Sequence, residues 1–222
     1  MLFALLDSNK SCSIRAAFAR DRSTCSLASS LILEPVRLFL ALELGPRERK
    51  AIRQATAPMR KAAPEASWVW EDNLHLSIKF FGEQPDTAPA EIARVLASVA
   101  AAHQPFDLRI SGLGAFPNLR APRVVWMGVQ HDPRLELMHH DVEETCAANG
   151  FPLDARAFRP HITLARVRDE MPLANARALA AAARAVVYKG VQQVIALSLL
   201  ESTLAAGGPK YTMVASIPLG GG

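Results

Sequence analysis

The stretch "HLSIKF" fills residues 75–80, and "HITLAR" fills residues 161–166. Each opens with histidine and continues with an apolar residue, a small hydroxyl residue and a second apolar residue. Successive side chains of a β-strand point to opposite faces, so residues i and i+2 share one face. His75 and Ser77 therefore project together, with Leu74, Leu76 and Ile78 behind them. His161 and Thr163 project together in the same way, backed by Ile162 and Leu164. A lone strand histidine is commonly a surface or hydrogen-bonded structural residue, because a half-buried imidazole needs partners for its nitrogens. Two matched copies in a chain with six histidines point instead to joint work.

The segments around these strands set the architecture. "VRLFLALEL" from Val36 reads as a buried strand ended by Gly45-Pro46. Pro46 suits the first turn of a helix running to about Ala63, which Pro64 stops. "SWVW" and "LHLSIKFF" read as strands, the second closed by Gly82. A helix is predicted over residues 88–102. "FDLRISGLGAF" and "RVVWMGV" are strands joined through the turn-forming "PNLRAP". In the second half, Asp132-Pro133 opens a helix that Asn149-Gly150 ends. The "HITLARV" strand, an alanine-rich helix over about 172–187, and the strands "VIALSLLEST" and "YTMVASIPL" follow. The two halves share their order of elements but little residue-by-residue similarity. Together they predict an α+β domain with largely antiparallel sheet over residues 36–222.

Residues 1–35 differ in character. They are serine-rich, hold Cys12 and Cys25, and show no sustained period. Asp7, Asp21 and Glu34 argue against an acid-poor transit peptide, and no basic region precedes an apolar core as in a secretory signal. The segment reads as a weakly structured extension, consistent with a functional chain that begins near Val36.

Half of the 222 residues are hydrophobic and 21% are charged, as expected of a globular protein with a substantial core. The net charge of +4 is a mild basic excess, without the lysine–arginine clusters of a strongly basic nucleic-acid binder. Cys12, Cys25 and Cys146 match neither a zinc set nor a disulfide framework, which favours a reducing, cytoplasmic setting. No apolar run is long enough to span a membrane. A monomer is the default expectation.

Two imidazoles and two hydroxyls suggest a definite chemistry. Imidazole titrates near neutral pH, so one copy can take a proton while the other gives one. The hydroxyls can hydrogen-bond the non-bridging oxygens of a phosphate. Such a set suits in-line displacement at phosphorus, with proton transfer serving both nucleophile and leaving group, so that no metal or other cofactor is required. A metal site is the alternative, but two histidines without nearby carboxylate or thiolate ligands make a poor one. "HHD" at 139–141 looks more metal-like, yet adjacent helical residues diverge by about 100°. His139 and His140 read as ordinary helix residues.

These residues resemble a known family. "HLSIKFFGE" and "FRPHITLAR" are similar to the paired H-x-[ST]-x signatures of the 2H phosphoesterases. Within that superfamily the chain most resembles the bacterial and archaeal RNA 2',3'-cyclic phosphodiesterases, historically called 2'-5' RNA ligases. The likeness extends through "VRLFLALEL", "WVWEDNLHLSIKFFGE", "GLGAFPNLRAPRVVWMGV", "GFPLDARAFRPHITLARVR" and "LLESTLAAGGPKYTMVASIPL". It implies a bilobal, pseudo-symmetric α+β fold with helices outside and the histidine strands facing across a central cleft. It also implies an enzyme that hydrolyses RNA ends bearing a 2',3'-cyclic phosphate to 2'-phosphates. By carry-over, His75 is the proton donor and His161 the proton acceptor. Ser77, Thr163 and Arg166 hold the phosphate. The first motif departs from the family in carrying serine where threonine is commoner. Trp70, Phe81 and Phe116 are candidates for stacking on a base. Strand alternation places Lys79 on the face of His75 and Ser77. The competing readings are 2'-5' RNA ligation or another phosphoester on the same site, and a non-catalytic module that binds RNA ends.

Overall fold

Proline sets the starts of the helices. Its fixed φ and missing N–H suit a first helical turn, where the N–H has no intrahelical acceptor. In the computed structural model, which describes residues 35–168, 170–205 and 208–220, α1 (Pro46–Ala55), α2 (Ala57–Ala62), α3 (Ala88–Ala102) and α4 (Pro133–Ala148) all carry proline in that turn. Asp132 caps α4 by accepting a hydrogen bond from the Arg134 amide. α5 spans Leu173–Ala185. The expected single helix from Pro46 to Ala63 is two, broken at Thr56. Pro58 cannot continue the ladder, and the Thr56 hydroxyl turns back to the Ile52 carbonyl at 2.8 Å. Residues 1–34, with Cys12, Cys25 and nearly all of the expected leader, lie outside the described residues.

The strands are β1 (Val36–Glu43), β2 (Ser67–Trp68), β3 (His75–Gln84), β4 (Phe106–Phe116), β5 (Val124–Val129), β6 (His161–Arg166), β7 (Lys189–Val194), β8 (Ala196–Ala205) and β9 (Gly208–Pro218). They form one antiparallel sheet in the order β7-β4-β5-β6-β3-β1-β8-β9, with β2 paired to β6 off that path. The order is pseudo-symmetric. Reading outward from the centre, β6-β5-β4-β7 on one side answers β3-β1-β8-β9 on the other. The two histidine strands are neighbours at the middle. β7 is not evident in the sequence, because Gly190, Gln192 and Gln193 interrupt its apolar pattern and, among the described residues, the strand pairs only with β4.

One face of the sheet is apolar and covered by helices. Leu38, Leu40 and Leu42 of β1, Leu76 and Ile78 of β3, and Ile162 and Leu164 of β6 share a core with Ile92, Leu96 and Val99 of α3 and Leu135, Met138 and Val142 of α4. A second core joins Val125 and Ala165 to Leu179 and Ala183 of α5 and to Met59 of α2. No helix of the described residues is long and apolar enough to cross a membrane. The opposite face carries the two motif histidines.

Candidate active site

The geometry of the site follows from one register. β3 and β6 meet at the antiparallel pair Leu76↔Ile162, the residues that directly follow the two histidines. That pairing sets His75 opposite Thr163 and Ser77 opposite His161. Both apolar partners are fully buried, so the four polar side chains rise from the other face. Each imidazole stands beside the hydroxyl residue of the other strand, and the two histidines occupy diagonal corners. Diagonal neighbours across an antiparallel pair lie about 7–8 Å apart, room enough for a phosphorus centre between them.

The same local device orients both rings. His75 Nδ1 lies 2.7 Å from the carbonyl of Asn73, and His161 Nδ1 lies 2.7 Å from the carbonyl of Arg159, two residues upstream in each case. A carbonyl only accepts, so Nδ1 carries the hydrogen and Nε2 is the accepting nitrogen of the neutral ring. The Ser77 hydroxyl approaches His75 Nε2 at 3.1 Å and donates to it when the imidazole is neutral. No corresponding bond joins Thr163 to His161 among the described residues. Aromatic rings surround the pair. Phe39 packs against His75 at 5.0 Å between centroids, and Tyr211 of β9 meets it edge-on at 5.2 Å. Phe116 meets His161 edge-on at 5.2 Å, with the Arg159 guanidinium 6.0 Å from its centroid.

This packing sets the electrostatics. Burial pushes His75 down to about 4, opposed by its bond to the Asn73 carbonyl and assisted by the charges of Arg166 and His161. His161 is lowered as well, chiefly by burial, with the Arg159 carbonyl acting upward and Arg166 downward. Both rings are thus neutral at pH 7 in the free protein. Burial raises the Tyr211 hydroxyl, and Arg166 again acts downward. The Arg166 charge therefore stands within reach of the whole constellation.

Arg166 reaches that position through a bulge. The β5–β6 register shifts between Val125↔Ala165 and Trp126↔Thr163, leaving Leu164 as an extra residue. Leu164 and Ala165 are both buried, and Arg166 returns to the exposed side with His161 and Thr163. β3 carries the matching irregularity. Leu40 pairs with Lys79 and Ala41 with Ser77, so Ile78 is the extra residue. Ile78 and Lys79 are both buried, and Phe80 emerges 56% exposed beside Phe39, at 5.9 Å between ring centroids.

Lys79 is therefore not on the face of His75 and Ser77, as simple alternation predicts. It lies on the core side, 1% exposed, and Phe80 takes the site position. A second shift, where Gly82 adopts φ of +73°, lets the strand continue to Gln84 instead of closing at Gly82. A residue with a side chain rarely adopts that conformation, which is why glycine marks the bulge.

Of the aromatic candidates, Phe116 borders the site through His161. Phe81 packs edge-on against Phe151 in the core, and Trp70 is largely exposed ahead of the turn at 71–73. His139 of α4 stacks on Phe158 at 3.8 Å and lies on the core side with Lys79 and Glu143, not beside the two motif imidazoles. Phe39, Phe80, Tyr211 and Trp126 are site neighbours that sequence reading misses. Trp126 pairs with Thr163, and Phe116 lies 5.3 Å from its ring. Only the outward face of the "VVWMG" strand, two residues from the Gly128 that pairs with His161, hints at it.

Comparison with known proteins agrees with this fold. The model of the 2'-5' RNA ligase superfamily matches residues 45–203. The RNA 2',3'-cyclic phosphodiesterase of Geobacillus stearothermophilus is 34% identical over 182 residues, which is 82% of this chain and 56% of that protein. The chain thus spans little more than half of that relative. The enzyme of the same name from Methanothermobacter thermautotrophicus is 30% identical over 80% of this chain and 95% of its own length. Among solved structures, E. coli LigT complexed with 3'-AMP is 29% identical with a TM-score of 0.62, covering 84% of this chain and 99% of that one. TT0787 of Thermus thermophilus is 29% identical with a TM-score of 0.67, covering 83% and 98%.

Proposed function

The chain belongs to the 2'-5' RNA ligase superfamily, and from that premise we propose that it hydrolyses the 2',3'-cyclic phosphate at RNA ends to a 2'-phosphate. The observation that carries the reading is the Leu76↔Ile162 register, which puts two imidazole–hydroxyl pairs on one face with the imidazoles at diagonal corners. His161 takes a proton from water as its oxygen attacks phosphorus. The P–O3' bond breaks, and His75 gives its proton to the departing 3' oxygen. Ser77 and Thr163 hydrogen-bond the non-bridging oxygens, and Arg166 balances their charge.

His75 must arrive at this step protonated, and the substrate provides the condition. Burial disfavours the imidazolium in the free protein, whereas a phosphodiester anion between the two strands favours it in the same dry surroundings. An imidazole so reluctant to hold charge releases its proton readily once the leaving oxygen needs it. Phe80, exposed at the strand position that corresponds to Arg166 in the other half, offers a ring on which the terminal base can stack. The RNA end itself is supported by the names of the relatives, which are RNA 2',3'-cyclic phosphodiesterases.

The test is hydrolysis of a 2',3'-cyclic nucleotide and of a cyclic-phosphate RNA end in excess chelator. We expect a 2'-phosphate product. His75→Ala and His161→Ala should each lose about 10²–10⁴ in kcat, the usual contribution of a general acid or base. Activity that disappears on chelation, or that survives in both variants, would show that the two-histidine mechanism is wrong.

A further inference from the structure

We infer that the buried Lys79–Glu143 pair is a positioning device for His161, tying the strand of one histidine to the connection that delivers the other. The inference rests on the reading of His161 as the proton acceptor. It starts from the β3 bulge, which turns Lys79 away from the site and into the interior. There its ammonium donates to Glu143 Oε2 of α4 at 2.8 Å and to the carbonyl of Pro152 at 2.8 Å. The same Glu143 oxygen accepts the amide of Asp154 at 2.9 Å.

Pro152 and Asp154 belong to the connection between α4 and β6, residues 149–160, which contains neither helix nor strand. Its backbone therefore lacks a ladder of its own, and its course depends on what holds it. Phe151 is packed against Phe81 of β3, Lys79 and Glu143 hold Pro152 and Asp154, and His139 of α4 stacks on Phe158. The connection ends at Arg159 and Pro160. The Arg159 carbonyl fixes Nδ1 of His161, and the Arg159 guanidinium lies over Phe116 beside that ring. A path thus runs from β3, the strand of His75, through Lys79 to Pro152 and Asp154, and along the backbone of residues 155–159 to the ring nitrogen of His161.

Packing alone does not call for a charged pair here. Burying two ions costs several kcal/mol, and well-packed apolar residues of similar volume are often neutral or stabilising replacements. An ammonium, however, can bond a carboxylate and a backbone carbonyl at once, in fixed directions. That is what anchoring an irregular connection requires. The titratable and charged groups facing the pair are His139, whose Nε2 lies 3.9 Å from Glu143 Oε1, and Asp154 and Cys146. His161 faces the Arg166 charge and the His75 ring, and the Arg159 carbonyl acts on it through its hydrogen bond.

The deciding variant is the double substitution Lys79→Met with Glu143→Met, which removes both charges together. Denaturant melts establish that it folds. Imidazole ¹⁵N–¹H spectra then report the His161 tautomer, and steady-state kinetics report kcat and KM on a 2',3'-cyclic nucleotide. We expect a folded protein in which His161 samples both tautomers. Its kcat should fall about 10–100-fold, the scale of a misplaced catalytic group, with KM within about twofold. Without the Arg159 carbonyl, which acts upward on His161, the acid limb of the kcat profile should also move to lower pH. A folded double variant with a single Nδ1–H tautomer overturns the inference, whatever its rate, and so does one with the parental kcat. If the double variant does not fold, Glu143→Gln keeps the shape and one carbonyl acceptor, and the same spectra decide. The tautomer is read without turnover. A failure of the proposed function, seen as full activity in His161→Ala, is therefore distinguishable from a failure of this inference.

Discussion

His75 shows how a single side chain couples the fold to its chemistry. Phe39 and Tyr211 press on its ring and strip it of water, and that desolvation holds it near 4. An unfolded histidine titrates near 6.5. Between these values the unfolded chain binds the extra proton and the folded chain does not, so stability rises with pH across the window. It is fully present above about 6.5 and lost as the pH falls towards 4, by roughly 3 kcal/mol for this group. Urea melts at pH 4.5 and pH 7 should therefore show a smaller difference for His75→Gln than for the parent. Equal differences would mean that the ring is not desolvated as described. The same burial affects turnover. The limbs of kcat/KM report the free protein, in which both histidines are lowered, so both limbs should lie below the ordinary imidazole value. The kcat profile reports the complex, where the phosphate anion favours the charged rings, and it should lie at higher pH.

At the scale of the element, the two bulges decide which residues reach the site. Strand alternation is enough to bring His75, Ser77, His161 and Thr163 to one face, because all four precede the extra residue in their strands. Beyond Ile78 and Leu164 the rule inverts. Lys79 goes inward, Phe80 outward, and Arg166 rejoins a face that strict alternation denies it. The bulges are set by pairing with β1 and β5, partners distant in sequence, and the residues at Ile78 and Leu164 carry no local mark. Helix starts, by contrast, are legible because proline acts locally, and the break at Thr56 follows from Pro58 by the same rule. β5 and β4 add a third element-scale feature. The indole of Trp126 lies over Gly114, its partner in the adjacent strand, where a methyl group would overlap the ring. Gly114→Ala should displace Trp126 from beside Thr163 and Phe116. Overpacking of this kind costs about 1–3 kcal/mol, and the proposed phosphate-binding side of the site should loosen with it. Thermal melts and KM for a cyclic nucleotide check this, and an unchanged KM would show that Trp126 does not support Thr163.

At the scale of the whole molecule, the site stands on the least laddered line of the sheet. β1 and β3 share a register from Val36↔Gln84 to Glu43↔His75, whereas β3 and β6 share the single pair Leu76↔Ile162. The chain builds β1 and β3, lays down the other half from β4 to β7, and returns for β8 and β9. The halves therefore join through the centre of the sheet and through what crosses beneath it. α2 crosses by packing Met59 against α5, and α4 is a second crossing element. It precedes β6 in the chain, yet it packs against β3 and α3, and it carries Glu143 to Lys79. The apolar floor of the line is Leu76 and Ile162, both fully buried. Stability and alignment should therefore separate by position. Leu76→Ala and Leu108→Ala each empty a fully buried leucine site and should each cost about 2–5 kcal/mol. Leu108 lies in β4 opposite Gln192 of β7, far across the sheet from the junction, so its loss should leave kcat near the parental value below the melting range. Loss of Leu76 leaves the two histidine strands free to shift against each other, and kcat should fall at least about tenfold at the same stability. Matched melts with matched kcat in the two variants would show that the junction does not set the distance between the proposed acid and base.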